Sequence, residues 1–302
     1  LVYTIVSGPS GGVVTISGSE ATYVGNSEFT GRDTFTYQAN DGRVDGNVGT
    51  VTVDVYPDFS KSVDSQISNG ADDLNSIEGN IKIWIDASNI DLTNNAGLSD
   101  GSSISTWTDL SGNYDLTGSA TYRSSGLNSK QTVEFSNSWF SSETFDAGTN
   151  QTVFVVFQMP NAHPWGYIVG HGSRDNDWAL RRWGQDTSKL TLDGPTGGHG
   201  QLNVNVALDV PQLALGMIDG NNPWVLETHS STHGFQNVSY NHSNYDGVNS
   251  NFKLGAINSG GADGSKAKIS EVIYFNKTLS NTEIAKIKYY LSQKWELTNV
   301  VD

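Results

Sequence analysis

The chain has 302 residues, with 17 Lys and Arg against 32 Asp and Glu and a formal net charge of −15. An acidic excess of that size argues against nucleic acid as a partner, because phosphate binding needs a basic face. There is no Cys, which excludes a disulfide framework and thiol chemistry, and no apolar run approaches bilayer length, so no membrane insertion is expected.

The length allows one large or two modest domains with a real core. Gly, Ser, Asn and Thr are abundant and Lys is scarce, which suits strands and long polar loops outside the cell. No signal peptide is visible and the first residue is Leu1, so the chain reads as a fragment or processed piece of something longer. The acidity serves either solubility or coordination of Ca²⁺, which prefers oxygen ligands.

Residues 1–57 read as a small all-β unit. Short strands are expected at Val2 to Val6, Val13 to Ser17, Ala21 to Val24, Thr34 to Ala39 and Thr50 to Tyr56, with turn residues between them. Val51, Val53 and Val55 alternate cleanly with Thr50, Thr52 and Asp54, and Phe35 shares a face with Tyr37. The run Gly31-Arg32-Asp33-Thr34-Phe35-Thr36-Tyr37, followed by Asn40-Asp41-Gly42, is similar to the signature of cadherin-like bacterial Ig-like repeats. That resemblance implies the stalk of a secreted adhesin. It also implies N-terminal strands that the sequence lacks before Leu1. Upstream sequence, another segment of this chain or a neighbouring subunit would then complete the sandwich.

Residues 58–80 read as an acidic linker, in which Asp58, Asp64, Asp72, Asp73 and Glu78 face a single Lys61. Carboxylates at a junction between β domains either bind Ca²⁺ and stiffen it or stay solvated. Asp72 and Asp73 are the candidates, since the stalk repeats to which residues 1–57 are similar often open with such a pair.

The large domain begins at residue 81. Asp109, Ser111, Asn113 and Asp115 place oxygen side chains at every second position of a loop after Trp107. This is half of a calcium loop without its Gly and its closing Glu; the plain alternative is a Ser-Gly-Asn turn.

Gly170 to Gly200 holds the most unusual chemistry. Trp178 to Trp183 alternates as a strand, with Trp178 and Leu180 inward and Arg181 and Trp183 on the other face. An outward Trp beside an Arg and carboxylates suits a sugar, the ring for its C–H face and the polar groups for its hydroxyls. Asp175, Asp177, Arg181, Trp183 and His199 are therefore the candidate ligand residues. The alternative buries both Trp and pairs Arg181 with Asp175 or Asp177. His229 and His233 lie four apart, with no helix to align them for zinc. A strand follows at Phe252 to Ile257.

The end of the chain is its most strongly specified part. Ile269 to Phe275 reads as a buried strand. Ser280 and Glu283 form a capping box, Leu279 and Ile284 a hydrophobic staple, and Ile284, Ile287, Tyr290 and Leu291 a helical stripe ending near Trp295. This segment, with Ile83 to Ser88, Trp107 to Asn113, Phe135 and Thr152 to Phe157, resembles the concanavalin A-like (laminin G-like) modules of bacterial and phage surface proteins. The resemblance spans roughly residues 80–297.

Hydrolases of that fold carry paired carboxylates on one strand. Here Glu271 and Glu134 each stand alone, and no nucleophile elbow, metal-binding helix motif or phosphate loop occurs. The expected fold is all-β. An incomplete Ig-like sandwich at 1–57 and the linker at 58–80 precede a concanavalin A-like β-sandwich (jelly roll) with one C-terminal helix at 81–302. The expected function is a non-catalytic carbohydrate-binding module of a secreted bacterial surface adhesin or fibre. Its partners would be glycans or cell-surface polysaccharide and neighbouring repeats or subunits, with calcium as a structural aid. The second expectation is a purely structural subunit or decoration of an extracellular or virion assembly, and the third a glycoside hydrolase.

Overall fold

The computed structural model describes residues 1–26, 31–55, 79–160, 166–172, 177–182, 188–194, 202–221, 223–241, 245, 247, 249–256 and 266–297. Among the described residues the chain is nearly all β, with one helix at the C-terminal side.

In the first unit β1 (Val2–Ser7), β4 (Gly31–Asn40) and β5 (Gly49–Val55) form a three-stranded antiparallel sheet in the order β1-β4-β5. A separate hairpin pairs β2 (Gly12–Ser17) with β3 (Glu20–Gly25). Asp33 joins the two. Its buried carboxylate accepts from Gly11 N at 2.9 Å, Ser10 N at 3.0 Å and the Tyr23 hydroxyl at 2.9 Å. The Asp of the Gly-x-Asp motif is thus a clasp that ties β4 to both strands of the hairpin near its open end. Asn40, Asp41 and Gly42 make a tight turn, with Asp41 Oδ1 accepting from the Arg43 and Val44 amides and Gly42 at φ +91°. Phe35 is buried beneath β4, while Val2, Val6, Val13 and Val24 remain exposed.

The larger unit is a β-sandwich. One layer runs in the order β15 (Leu202–Asn205), β14 (Lys189–Asp193), β13 (Trp178–Arg182), β12 (Gly166–His171), β19 (Asn249–Leu254), β10 (Phe140–Asp146) and β8 (Leu116–Leu127), with β7 (Ser103–Trp107) beside β8. The other runs from β9 (Lys130–Glu134) and β6 (Ile81–Asp86) through β20 (Lys268–Phe275), β11 (Gln151–Gln158), β16 (Pro211–Ile218) and β17 (Trp224–Ser230) to β18 (Gly234–Tyr240). The layers meet around Tyr274 of β20, whose ring lies 5.1 Å from Phe252, 6.0 Å from Trp178 and 6.1 Å from Phe145 on the facing layer. The strand expected to reach Ile257 stops at Leu254. Gly255 turns at φ +78°, and a Cβ there would sit 2.3 Å from the Phe135 ring.

The helix α1 (Asn281–Trp295) has the expected capping box, with Ser280 Oγ accepting from Glu283 N and the Glu283 carboxylate accepting from Ser280 N. Ile284, Ile287, Leu291 and Trp295 are buried against the outer face of the second layer. This explains why β11 is buried along nearly its whole length. Alternate residues meet the sandwich core and the helix, so the strand reads as one continuous apolar run. Thr152 fixes the approach to the helix by donating to Lys277 O and accepting from Leu279 N.

Candidate functional site

Strand alternation in β13 is as the sequence predicts. Trp178 and Leu180 lie in the core between the layers, and Arg181 faces away from it. Arg181 is held by the strand beside it. Its Nε donates to Asp193 of the neighbouring strand, and both groups are buried. Asp193 stands opposite Ala179, one diagonal step from Arg181, within reach of a long side chain.

Three strands continue this polar row. Arg181 is paired in register with Thr191, and Thr191 with Asn203. The Thr191 hydroxyl donates to Asn203 Oδ1 at 2.5 Å, and Lys189 Nζ donates to Asn205 Oδ1 at 2.6 Å. Asn203 and Asn205 are exposed, whereas Thr191 is fully buried. The outer face of β13–β15 is therefore a ladder of fixed donors and acceptors with its accessible end at β15. Asp175, Trp183 and His199 lie outside the described residues, as do Asp72 and Asp73 of the linker.

Asp177 turns inward and leaves this face. It accepts from His171 Nδ1, from the Tyr245 hydroxyl and from Trp178 N at 3.0 Å. Tyr245 also accepts from Gln151 Nε2 at 2.9 Å, and Gln151 Oε1 accepts from the Trp178 indole and from Tyr274 at 2.7 Å. Burial and the neighbouring Asp177 push the Tyr245 phenol well up. The sequence grouped Asp177 with the ligand residues because the two carboxylates are close along the chain; its three donors hold it inside the sandwich instead.

The Asp109 loop closes on itself. Asp109 is buried and accepts from the backbone amides of Trp84 at 2.8 Å, Ser111 at 3.0 Å, Asn113 at 3.0 Å and Tyr114 at 2.8 Å, as well as from the Ser111 hydroxyl. Asp115 accepts from Asp109 N, and Asn113 Nδ2 donates to Ile81 O. Burial pushes the Asp109 carboxyl up against the opposing pull of these bonds. The N–H groups point at the oxygens where a cation would have to sit, so this donor set does not fit calcium. It is the Ser-Gly-Asn turn, anchored on one carboxylate. Among the described residues no group of three or more His, Asp or Glu is placed to hold a metal.

A further cluster escaped the sequence. Glu271 is the one carboxylate of its own strand, but it lies directly opposite Asp86 on the adjacent strand, and Lys294 of α1 reaches between them. Lys294 Nζ contacts Asp86 Oδ2 and lies 3.0 Å from Glu271 Oε2 and 2.8 Å from the Tyr290 hydroxyl. Glu271 also accepts from the Trp84 indole at 2.7 Å, the Trp295 indole at 2.6 Å and Tyr290 at 2.9 Å. Ser88 donates from both its amide and its hydroxyl to Asp86 Oδ1, each at 2.7 Å. Burial raises the Glu271 carboxyl, and the flanking carboxylates raise the Lys294 ammonium despite its own burial. No local spacing announces this group, because Lys294 and Asp86 are 208 residues apart in sequence and meet only when β6, β20 and α1 pack together.

Residues 1–54 match a family model described as a bacterial Ig domain. No curated protein matches the chain. Among solved structures, a mutant Trypanosoma rangeli sialidase with trans-sialidase activity is similar at 11% identity and a TM-score of 0.50, over 88% of this chain and 44% of that one. The receptor binding domain of botulinum neurotoxin mosaic serotype C/D is 11% identical at a TM-score of 0.48, over 72% of this chain and 52% of that one. The botulinum neurotoxin type G receptor binding domain is 12% identical at 0.47, over 71% and 51%. The chain thus spans about half the length of these structures. At such identities the likeness concerns the all-β fold alone. Among the described residues no helix is long and apolar enough to cross a membrane.

Proposed function

We propose that the chain is a non-catalytic glycan-binding module of a secreted bacterial surface adhesin or fibre, with a concanavalin A-like sandwich carried on an Ig-like stalk. One observation carries the reading: the aligned ladder of Arg181, Asp193, Thr191, Asn203 and Asn205 across the outer face of β13–β15. Its accessible end, the Asn203 and Asn205 amides, offers donors and acceptors to sugar hydroxyls, and the buried Thr191 behind it holds Asn203 in place. The ladder is fixed before any ligand arrives, so little ordering cost falls on binding. The buried triad of Asp86, Glu271 and Lys294 is not a hydrolytic pair in this reading, because the lysine fills the space between the carboxylates where a substrate would lie.

The test is a glycan array with the whole chain, repeated after calcium chelation. Binding is expected with and without chelator. Asn203→Ala should weaken it by about 1 kcal/mol, the net worth of one hydrogen bond. Trp183→Ala should weaken it by about 2 kcal/mol, the scale of a lost aromatic anchor. Retention of every wild-type glycan by both variants would remove the proposed face from consideration.

A structural role in an assembly is the second reading. Val2, Val6, Val13 and Val24 favour it, since these exposed apolar side chains of the Ig-like unit suit cover by a neighbouring repeat or subunit. Binding to no glycan, together with concentration-dependent association of the chain, would favour that reading over the first.

A further inference from the structure

We propose that Lys294 and Asp86 condense to an intramolecular amide, a covalent bond between the helix α1 and strand β6, with Glu271 as the proton carrier. Three features place the reacting groups. Lys294 Nζ is in contact with Asp86 Oδ2, so the nucleophile stands at the carboxyl group it would attack. The other carboxyl oxygen, Oδ1, accepts from Ser88 N and Ser88 Oγ at 2.7 Å each, and these two donors polarise the carboxyl and would stabilise the negative oxygen of a tetrahedral intermediate. Glu271 Oε2 lies 3.0 Å from Nζ, within proton-transfer reach of the amine and next to the oxygen that must leave.

The surroundings favour the condensed state. Trp84, Tyr290 and Trp295 wall the site, and the Trp84 and Trp295 side chains are almost wholly buried. Two carboxylates and one ammonium share this space, so the ions are not balanced, and burying each of them is costly. Amide formation removes one positive and one negative charge. It leaves Glu271 with the Trp84 and Trp295 indoles and the Tyr290 hydroxyl as its donors. The exclusion of bulk water also disfavours hydrolysis of the product.

The step balances without any other reactant. The amine passes a proton to Glu271, its lone pair attacks the Asp86 carboxyl carbon, and a Nζ–Cγ bond forms. Oδ2 takes the proton from Glu271 and the second proton lost by the nitrogen, and leaves as water when the C–O bond breaks. Nothing is oxidised or reduced, and Glu271 ends as it began.

Intact-mass spectrometry of the purified whole chain in denaturant reads the bond directly. The expected mass lies below the sequence mass by one water, about 18 Da. Digestion should yield one branched peptide that joins Asp86 to Lys294. Lys294→Arg and Glu271→Gln should each show their full sequence mass. Asp86→Asn should still react but lose ammonia, about 17 Da. Wild-type chain that is folded by circular dichroism and still shows the full sequence mass would overturn the proposal and leave a buried ion cluster. The same loss of water in Lys294→Arg would overturn it too, since the loss would then arise elsewhere. The wild-type measurement decides the matter even where a variant fails to fold.

Discussion

Asp33 has 2% of its surface exposed and holds three segments of the first unit, so its removal has consequences out of proportion to its size. Asp33→Ala would leave the Gly11 amide and the Tyr23 hydroxyl without their acceptor, at a cost of about 2 kcal/mol. Urea unfolding followed by circular dichroism should show that loss in the first unit alone. Tyr245→Phe makes a parallel case inside the sandwich. It removes the donor to Asp177 and the acceptor of Gln151 together, and about 1–3 kcal/mol of the large unit's stability should go with it. The residue scale is also where the sequence was hardest to read. The inward face of Trp178 and Leu180 followed from alternation, but alternation says nothing about partners. Asp193 could have been found by counting the register of the β13–β14 hairpin, since it falls one diagonal from Arg181. Asp177 could not, because two of its donors, His171 and Tyr245, come from different strands and loops.

At the scale of the element, α1 was fully legible because its signals are local. A capping box, a staple and an apolar stripe all lie within a few turns of one another. Ser280→Ala should cost about 1 kcal/mol through the lost cap. Burial would raise the Glu283 carboxyl, but bonds from Lys277 and Ser280 hold it below the usual carboxylate range. A group with a depressed folded pKa contributes stability that is present above its unfolded pKa and lost as pH falls through the folded one. Acidification below the ordinary carboxylate range should therefore lower the melting temperature, and Glu283→Gln should show a smaller fall over the same pH interval. The Asp109 loop teaches the opposite lesson. Its oxygen spacing suggested a cation, while the structure spends those oxygens on backbone amides, a choice that side-chain spacing cannot reveal. Chelation should accordingly leave the thermal transition of the large sandwich unmoved, as scanning calorimetry would show.

Across the whole molecule the two units differ in what holds them. Phe35 is the single fully buried hydrophobic side chain among the described residues of the first unit, whereas the sandwich core joins its two layers and α1 continuously. Two thermal transitions are expected, with the Ig-like unit melting first and Asp33→Ala moving only the lower one. The placement of Asp86 and Lys294 bears on how such a chain carries load. Strand β6 starts where Ile81 faces Phe275 and ends where Asp86 faces Glu271, and α1 returns to finish beside Glu271. Without a bond, tension applied at residue 81 and at the end of α1 reaches the β6–β20 ladder through Ile81 and Phe275, which face each other, and so peels it from that end. With Lys294 bonded to Asp86, the pull crosses from strand to helix without entering the sandwich, and the 208-residue separation between them is shielded from extension. At about 3.3–3.6 Å per residue, on the order of 70 nm of contour length would be missing from a single-molecule pulling trace, and Lys294→Arg would restore it.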